Sequence, residues 1–312
     1  MRKIIIDCDP GHDDIIAIMV ALAHNDELEI VGTTTVAGNQ TLAKVTNNLL
    51  KVFDYLNLDF DVSMGCDKPI RRPLEVQPLA HGESGMDGPD LPVAHSKTTG
   101  INAIDYLKDK LINSKEKLTI VAIGPLTNIG VLLKAYPEVK EHIEMITIMG
   151  GSLYSGNIIP KAEFNIYHDP EAAKIVFESG VPIIMSGLEV CYSGGIPHRA
   201  MEVFKHKGKA SKLVSELLEY FTQYSKQRNI EWSPIFDMTP IIHLLKPEIF
   251  KSEFFHVEIE TEGSLCRGMT VADIRNEYDK KDLNTEVLMS VNNEEFVTYF
   301  INSILALDDM IK

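Results

Sequence analysis

Four aspartates fall within eight residues near the start of the chain, in Asp7-Cys8-Asp9-Pro10-Gly11-His12-Asp13-Asp14. Carboxylates this close repel one another when ionised, and burial makes the repulsion worse. A hard cation relieves it, and oxygen ligands suit calcium or magnesium. Pro10-Gly11 supplies a turn that lets Asp9 and Asp14 face one point. Acids at a helix N-terminus are also favourable without any ligand, through the helix dipole. That accounts for Asp13 and Asp14 but not for Asp7 and Asp9, so the loop reads as a metal or catalytic centre. Cys8 lies among carboxylates, which raise its pKa and make it a poor nucleophile. His12 is an unsuitable ligand for a cation that prefers oxygen.

Such a loop needs a strand to deliver it and a helix to receive it. Residues 4–7 read as a strand and 13–24 as a helix, whose apolar run from Ile15 to Leu22 implies burial on most sides. Residues 29–34, 118–123, 145–149 and 181–186 read as further strands, with helices at 41–56 and 170–179. This βαβα order predicts an α/β fold: one domain over residues 1–312, with a mostly parallel, Rossmann-like open sheet covered by helices. In such a sheet ligands bind beyond the carboxyl ends of the strands, where the acidic loop falls. Residues 65–96, rich in proline and glycine, and the stretch between a helix at 211–228 and one starting near 238 read as long loops. Late strands are expected at 255–260 and 286–291, and a closing helix at 293–307.

Composition narrows the partners. Apolar residues make up 45% of the 312, enough for a large core, and no apolar stretch is long enough to span a membrane. The formal charge of −15 disfavours nucleic acid but not an uncharged nucleoside. Cys8, Cys66, Cys191 and Cys266 show no paired spacing, and the first residues read as a strand rather than a secretory leader. A reduced cytoplasm is the expected setting.

Asp-Cys-Asp after a first strand is similar to the start of haloacid-dehalogenase-type phosphatases, but Gly11, His12 and a second acidic pair fit that pattern poorly. DCDPGHDD resembles instead the signature loop of the inosine-uridine-preferring nucleoside hydrolase family. Val36-Ala37-Gly38-Asn39-Gln40 with Asn47-Asn48, and His81 to Gly88 (HGESGMDG), match its next motifs. Gly124-Pro125-Leu126-Thr127-Asn128, Met149-Gly150-Gly151, Gly156-Asn157, Ala162-Glu163-Phe164-Asn165 and Asp169 to Ala173 then follow in the family order. The HGESGMDG context is similar to bacterial pyrimidine-preferring ribohydrolases.

The resemblance implies calcium-dependent hydrolysis of the N-glycosidic bond, releasing free base and ribose. It assigns Asp9, Asp14, Asp237 and the backbone carbonyl of Ile123 to a calcium ion that engages two ribose hydroxyls and the attacking water. By itself, Asp237 reads as a helix N-cap before Pro240. Asp13 is the implied general base, and Asp7 orients the loop from beneath. Asn39, Asn157, Glu163 and Asn165 are the implied ribose contacts. Met149 and Phe164 read equally as sugar or base contacts and as core. Asn128 reads as a helix cap.

The leaving base is the open point. The better-known members carry a histidine immediately before the aspartate matching Asp237, and this chain has Phe236, which holds no proton to give. His81 is the substitute, against a reading as a surface-loop histidine. Phe236 or Trp232 could stack on a base. Tyr224 and Arg228, four apart on the covering helix, read as a base contact or a solvated face. These features favour uridine or cytidine, with a purine or broad specificity as the alternative. A calcium-dependent nucleoside binder without turnover is a further reading, against which Asp13 counts. The resemblance implies a homodimer or homotetramer.

Overall fold

The computed structural model describes residues 1–275 and 283–311; the Tyr224 side chain also lies outside the described part, so its expected role is not addressed. The chain opens β1 (Arg2–Cys8), α1 (His12–Ala23), β2 (Leu28–Thr35), α2 (Leu42–Leu56), β3 (Val62–Met64), and continues through α3 (Pro78–His81), α4 (Ala103–Asn113), β4 (Leu118–Ala122), α5 (Thr127–Ala135) and β5 (Ile143–Met149). Next come α6 (Phe164–His168), α7 (Pro170–Phe177), β6 (Ile183–Ser186), α8 (Leu188–Ser193), β7 (Ile196–Pro197), α9 (His198–Met201), α10 (Lys209–Phe221), α11 (Gln223–Lys226), β8 (Trp232–Ser233) and α12 (Met238–Leu245). The last elements are β9 (Phe250–Phe255), β10 (Val257–Ile259), β11 (Thr270–Ala272), β12 (Thr285–Val291) and α13 (Asn293–Met310).

Eight strands form the main sheet in the order β3-β2-β1-β4-β5-β6-β12-β9. Every pairing is parallel except that of β12 with the edge strand β9. The expected mostly parallel open sheet is therefore present. Side chains along β1 alternate between its two buried faces. Ile4, Ile6 and Cys8 join the core under α1, whereas Ile5 joins the core under α5 and α7. Helix α1 is buried along its whole length, packed between the sheet and α10, α12 and α13, which explains its unbroken apolar run. Helix α2 instead buries one stripe, Leu42, Val45, Leu49, Val52, Phe53 and Leu56, at helical spacing.

Strand order reverses at β1, with β2 on one side and β4 on the other. A crevice opens beyond the carboxyl ends at such a switch point, and the acidic loop leaves β1 there.

Three boundaries differ from expectation. The strand expected at 255–260 is split: Phe255 ends β9, and Val257–Ile259 pairs with β11 in a separate hairpin. Strand β9 escaped sequence reading because Lys251, Ser252, Glu253 and Phe254 are all exposed, so it lacks the alternation of a half-buried strand. The covering helix is not continuous over 211–228; it ends at Phe221, and α11 follows after Thr222, whose hydroxyl bonds back to the Leu218 carbonyl. Among the described residues no helix is long and apolar enough to cross a membrane.

Candidate active site

The acidic loop is folded on its own side chains. Asp14, in the first turn of α1, accepts the backbone N–H of Asp9 at 3.1 Å and of Gly11 at 2.9 Å, curling Pro10-Gly11 back over the helix start. Asp9 is gripped from β2's side: Asn39 donates its backbone N–H to Asp9 Oδ2 at 2.7 Å, and its side-chain amide reaches the Asp9 carbonyl at 3.2 Å. Two glycines make room for this carboxylate. A Cβ on Gly38 would stand 2.2 Å from Asp9 Oδ2, and one on Gly124 would stand 2.7 Å from Oδ1.

Asp237 arrives from the start of α12. It occupies the N-cap position without making a capping bond. Its carboxylate lies with those of Asp13 and Asp14, the ligand atoms of all three within 4.8 Å of one another, which disposes of the cap reading. The Phe236 backbone amide favours the charged form of Asp13, and Asp13 Oδ1 is buried with no hydrogen-bond partner among the described residues. Burial, reinforced by the Asp14 charge, pushes the Asp13 carboxyl up to about 8. Asp9 and Asp237 are raised well above the usual carboxylate range by burial and by neighbouring acids. Asp14 rises only to about 6, because burial is opposed by the Gly11 and Asp9 amides. A hard divalent cation fits this all-oxygen donor set: it offers the unpartnered Asp13 oxygen a counter-charge and removes the repulsion. Burial, then Asp14 and Asp7, also raise the Cys8 thiol well above its ordinary value, as its surroundings predicted.

The residues expected to contact the sugar gather near the ends of β4 and β5. Asn165 donates from Nδ2 to the carbonyls of Ile123, at 3.0 Å, and Met149, at 3.1 Å, tying the two strand ends together. Glu163 caps α6, accepting from Asn165 and Ile166, and also takes the Gly151 N–H at 3.0 Å. Burial raises Glu163 to about 7 against these amides. Asn157 accepts the Phe164 N–H at 2.9 Å. Met149 is buried, whereas Phe164 is half-buried with its ring edge-on to His168.

On the other side, His81 ends the short α3 and is buried, not a surface-loop histidine. It lies against Gly11, where a Cβ would meet its Nδ1 at 2.5 Å. The following loop wraps the Asp87 carboxylate, which accepts the N–H groups of Glu83 and Ser84. Asn48 joins this loop to the acidic one, its amide reaching the carbonyls of both Pro10 and Ser84. Phe236 is half-buried with its ring edge-on to Tyr192, which in turn meets the partly exposed Trp232.

Residues 4–298 match the family model described as inosine-uridine preferring nucleoside hydrolase. The chain belongs to the inosine-uridine-preferring nucleoside hydrolase family. It is 42% identical over 309 residues to the pyrimidine-specific ribonucleoside hydrolase RihA of Shewanella sp. strain ANA-3, covering 97% of this chain and 96% of the relative. It is 43% identical over 298 residues to RihA of Klebsiella pneumoniae, covering 94% and 95%. Among solved structures, a plant nucleoside hydrolase, PpNRh1, superposes with a TM-score of 0.90 at 28% identity over 98% of this chain and 99% of that one. The purine-preferring ribonucleoside hydrolase from Gardnerella vaginalis does so with 0.92 at 27% identity over 99% and 100%.

As a nucleoside hydrolase, the chain is an enzyme of N-glycosyl bonds, and its acids, amides and histidine gather where the fold places a ligand crevice. Sequence reasoning missed three supports of this nucleoside hydrolase site. Asn128 is neither a cap nor beside the acidic loop's mouth: it lies below, donating to Asp7 Oδ1 at 2.7 Å and to the Thr35 carbonyl. Asp7 also accepts from Thr34, and burial raises it to about 7. Glu189 holds the 152–154 turn by accepting from Ser152, Leu153 and Tyr154. His12 bonds to His81. The only signal for Asn128 was its place in the family motif; for Glu189 there was none, and for His12 it was a polar residue inside a fully buried helix.

Proposed function

We propose that this nucleoside hydrolase depends on calcium and cleaves ribonucleosides to free base and ribose, preferring uridine and cytidine, in nucleoside salvage. The observation that carries the reading is the buried carboxylate centre at the switch point, with the Asp13 oxygen left unpartnered. Asp9, Asp14, Asp237 and the Ile123 carbonyl would hold the calcium. When bound, that ion supplies positive charge to the ribose hydroxyls and the attacking water.

Asp13 takes the proton from water as it attacks C1′, and the sugar passes through an oxocarbenium-like transition state. Asp13 Oδ1, buried and without a hydrogen-bond partner among the described residues, is free to take that proton. Asn39, Asn157, Glu163 and Asn165 read the ribose hydroxyls, at the expense of bonds they now make to backbone. Met149 and Phe164 line the sugar, Phe236 offers a ring face, and His81 meets the leaving base. The pyrimidine preference is supported by the RihA relatives, whose names state it.

The test is a panel of uridine, cytidine, inosine, adenosine and 2′-deoxyuridine, with free base and sugar resolved by chromatography. Uridine and cytidine are hydrolysed fastest, a chelator abolishes turnover, and calcium restores it. Comparable kcat/KM on uridine and 2′-deoxyuridine would refute the ribose reading, because a missing hydroxyl leaves buried polar groups unpaired. Nucleoside binding with no product in a single turnover would replace the enzyme by a binding protein.

A further inference from the structure

Two buried histidines meet beside the acidic loop. His12 Nδ1 stands 3.2 Å from His81 Nδ1, and His12 Nε2 stands 2.8 Å from the backbone carbonyl oxygen of Asp87. The His12 ring is fully buried against two aromatic rings. The Tyr220 ring stacks on it at 5.0 Å and 7°, and Phe221 at 5.7 Å. Nothing in this packing lets the ring turn over without losing both hydrogen bonds.

The hydrogens of this chain follow from what each atom is able to do. A carbonyl oxygen only accepts, so His12 Nε2 carries the hydrogen. Neutral imidazole has one N–H, so His12 Nδ1 is a lone pair. Two facing lone pairs repel at 3.2 Å, so the hydrogen between the rings belongs to His81 Nδ1. Neutral His81 then has a bare Nε2. Among the described residues that atom makes no hydrogen bond. An ordinary imidazole, with a pKa of about 6.5, is mostly neutral at pH 7, the state this assignment requires.

We infer that His12 is a positioning residue that locks His81 as the Nδ1–H tautomer, so that His81 offers the nucleoside a hydrogen-bond acceptor at Nε2. The inference rests on the reading of this crevice as a nucleoside site. It changes what His81 does there: in its resting form the ring receives an N–H or O–H of the substrate, such as the N3–H of uracil, the amino group of cytosine or the 5′-hydroxyl. It has no proton at Nε2 to hand to the leaving base. A substrate presenting an acceptor at that point meets lone pair against lone pair and is rejected.

The test is long-range proton–nitrogen NMR on protein labelled with ¹⁵N-histidine, with His81 signals assigned by their loss in His81→Gln. At neutral pH the expected spectrum has His81 Nδ1 protonated and Nε2 bare. In His12→Phe the ring reverts toward Nε2–H, and kcat/KM for uridine falls about tenfold, the worth of one neutral hydrogen bond. In His12→Asn, whose Oδ1 replaces the Nδ1 acceptor, His81 stays Nδ1–H and much of the activity returns. A wild-type spectrum with Nε2 protonated overturns the inference, whatever the variants do. So does a His12→Phe protein that keeps the Nδ1–H tautomer. The spectrum requires no turnover, so an error in the proposed substrate shows in the nucleoside panel and not here.

Discussion

Replacing Asn128 by alanine probes the layer beneath the acidic loop. The Asn128 side chain makes three hydrogen bonds: two buried, Nδ2 to Asp7 Oδ1 at 2.7 Å and Nδ2 to the Thr35 carbonyl at 3.1 Å, and one part-buried, Oδ1 from the Cys66 N–H at 2.8 Å. Asp7 and Thr35 cannot turn to water, since they and Asn128 are fully buried, and Cys66 is half-buried. The bond to a carboxylate is worth roughly 1.5–3 kcal/mol and each backbone bond about 1 kcal/mol, so Asn128→Ala costs about 4 kcal/mol. With an unfolding entropy of roughly 2.1 cal/mol/K per residue over 312 residues, that lowers Tm by about 6 °C. The loss also depends on pH. Burial already raises Asp7 to about 7, and the Asn128 amide opposes that rise, so its removal pushes the carboxyl higher still. A raised folded pKa means that stability falls as pH climbs toward that pKa, and the variant extends the fall above pH 7. Calorimetry at pH 6 and pH 8 therefore shows a larger Tm decrease at pH 8. A decrease under about 2 °C at both pH values would refute the argument, because it would mean that the three bonds are worth no more than water supplies.

Asp13→Ala is expected to lower kcat by a factor on the order of 10²–10⁴ while calcium still binds, measured by steady-state kinetics and metal titration, whereas Asp9→Ala loses metal and substrate together. Unchanged kcat in Asp13→Ala would remove Asp13 from the chemistry. Among the described residues neither ring nitrogen of the buried His168 has a partner, and burial takes it from an ordinary 6.5 down to about 4. The unfolded chain then binds the proton first, so stability present above pH 6.5 is lost as pH falls toward 4, by about 2 kcal/mol at pH 5. His168→Leu removes this loss, and the Tm gap between pH 8 and pH 5 narrows by about 3 °C; a gap equal to the wild type's contradicts the burial argument.

What the sequence determined by itself was whatever depends on neighbours along the chain. The apolar run of β1, the apolar run from Ile15 to Leu22 in α1, the turn at Pro10-Gly11 and the crowding of four acids are local, and the helix expected at 13–24 is found at His12–Ala23. The motifs carried the family because each is a short run of neighbouring residues and all follow in the family order. Chain order alone did not say which distant groups meet. Asp237 joins Asp13 and Asp14, Asn128 supports Asp7 across 121 residues, and His12 pairs with His81 across 69. Those meetings follow from the strand order β2-β1-β4, which brings three loops to one edge, and from α10 and α12 closing over α1. The form in which His81 faces a substrate was decided there too, because it depends on one carbonyl oxygen that only the folded loop around Asp87 places 2.8 Å from His12.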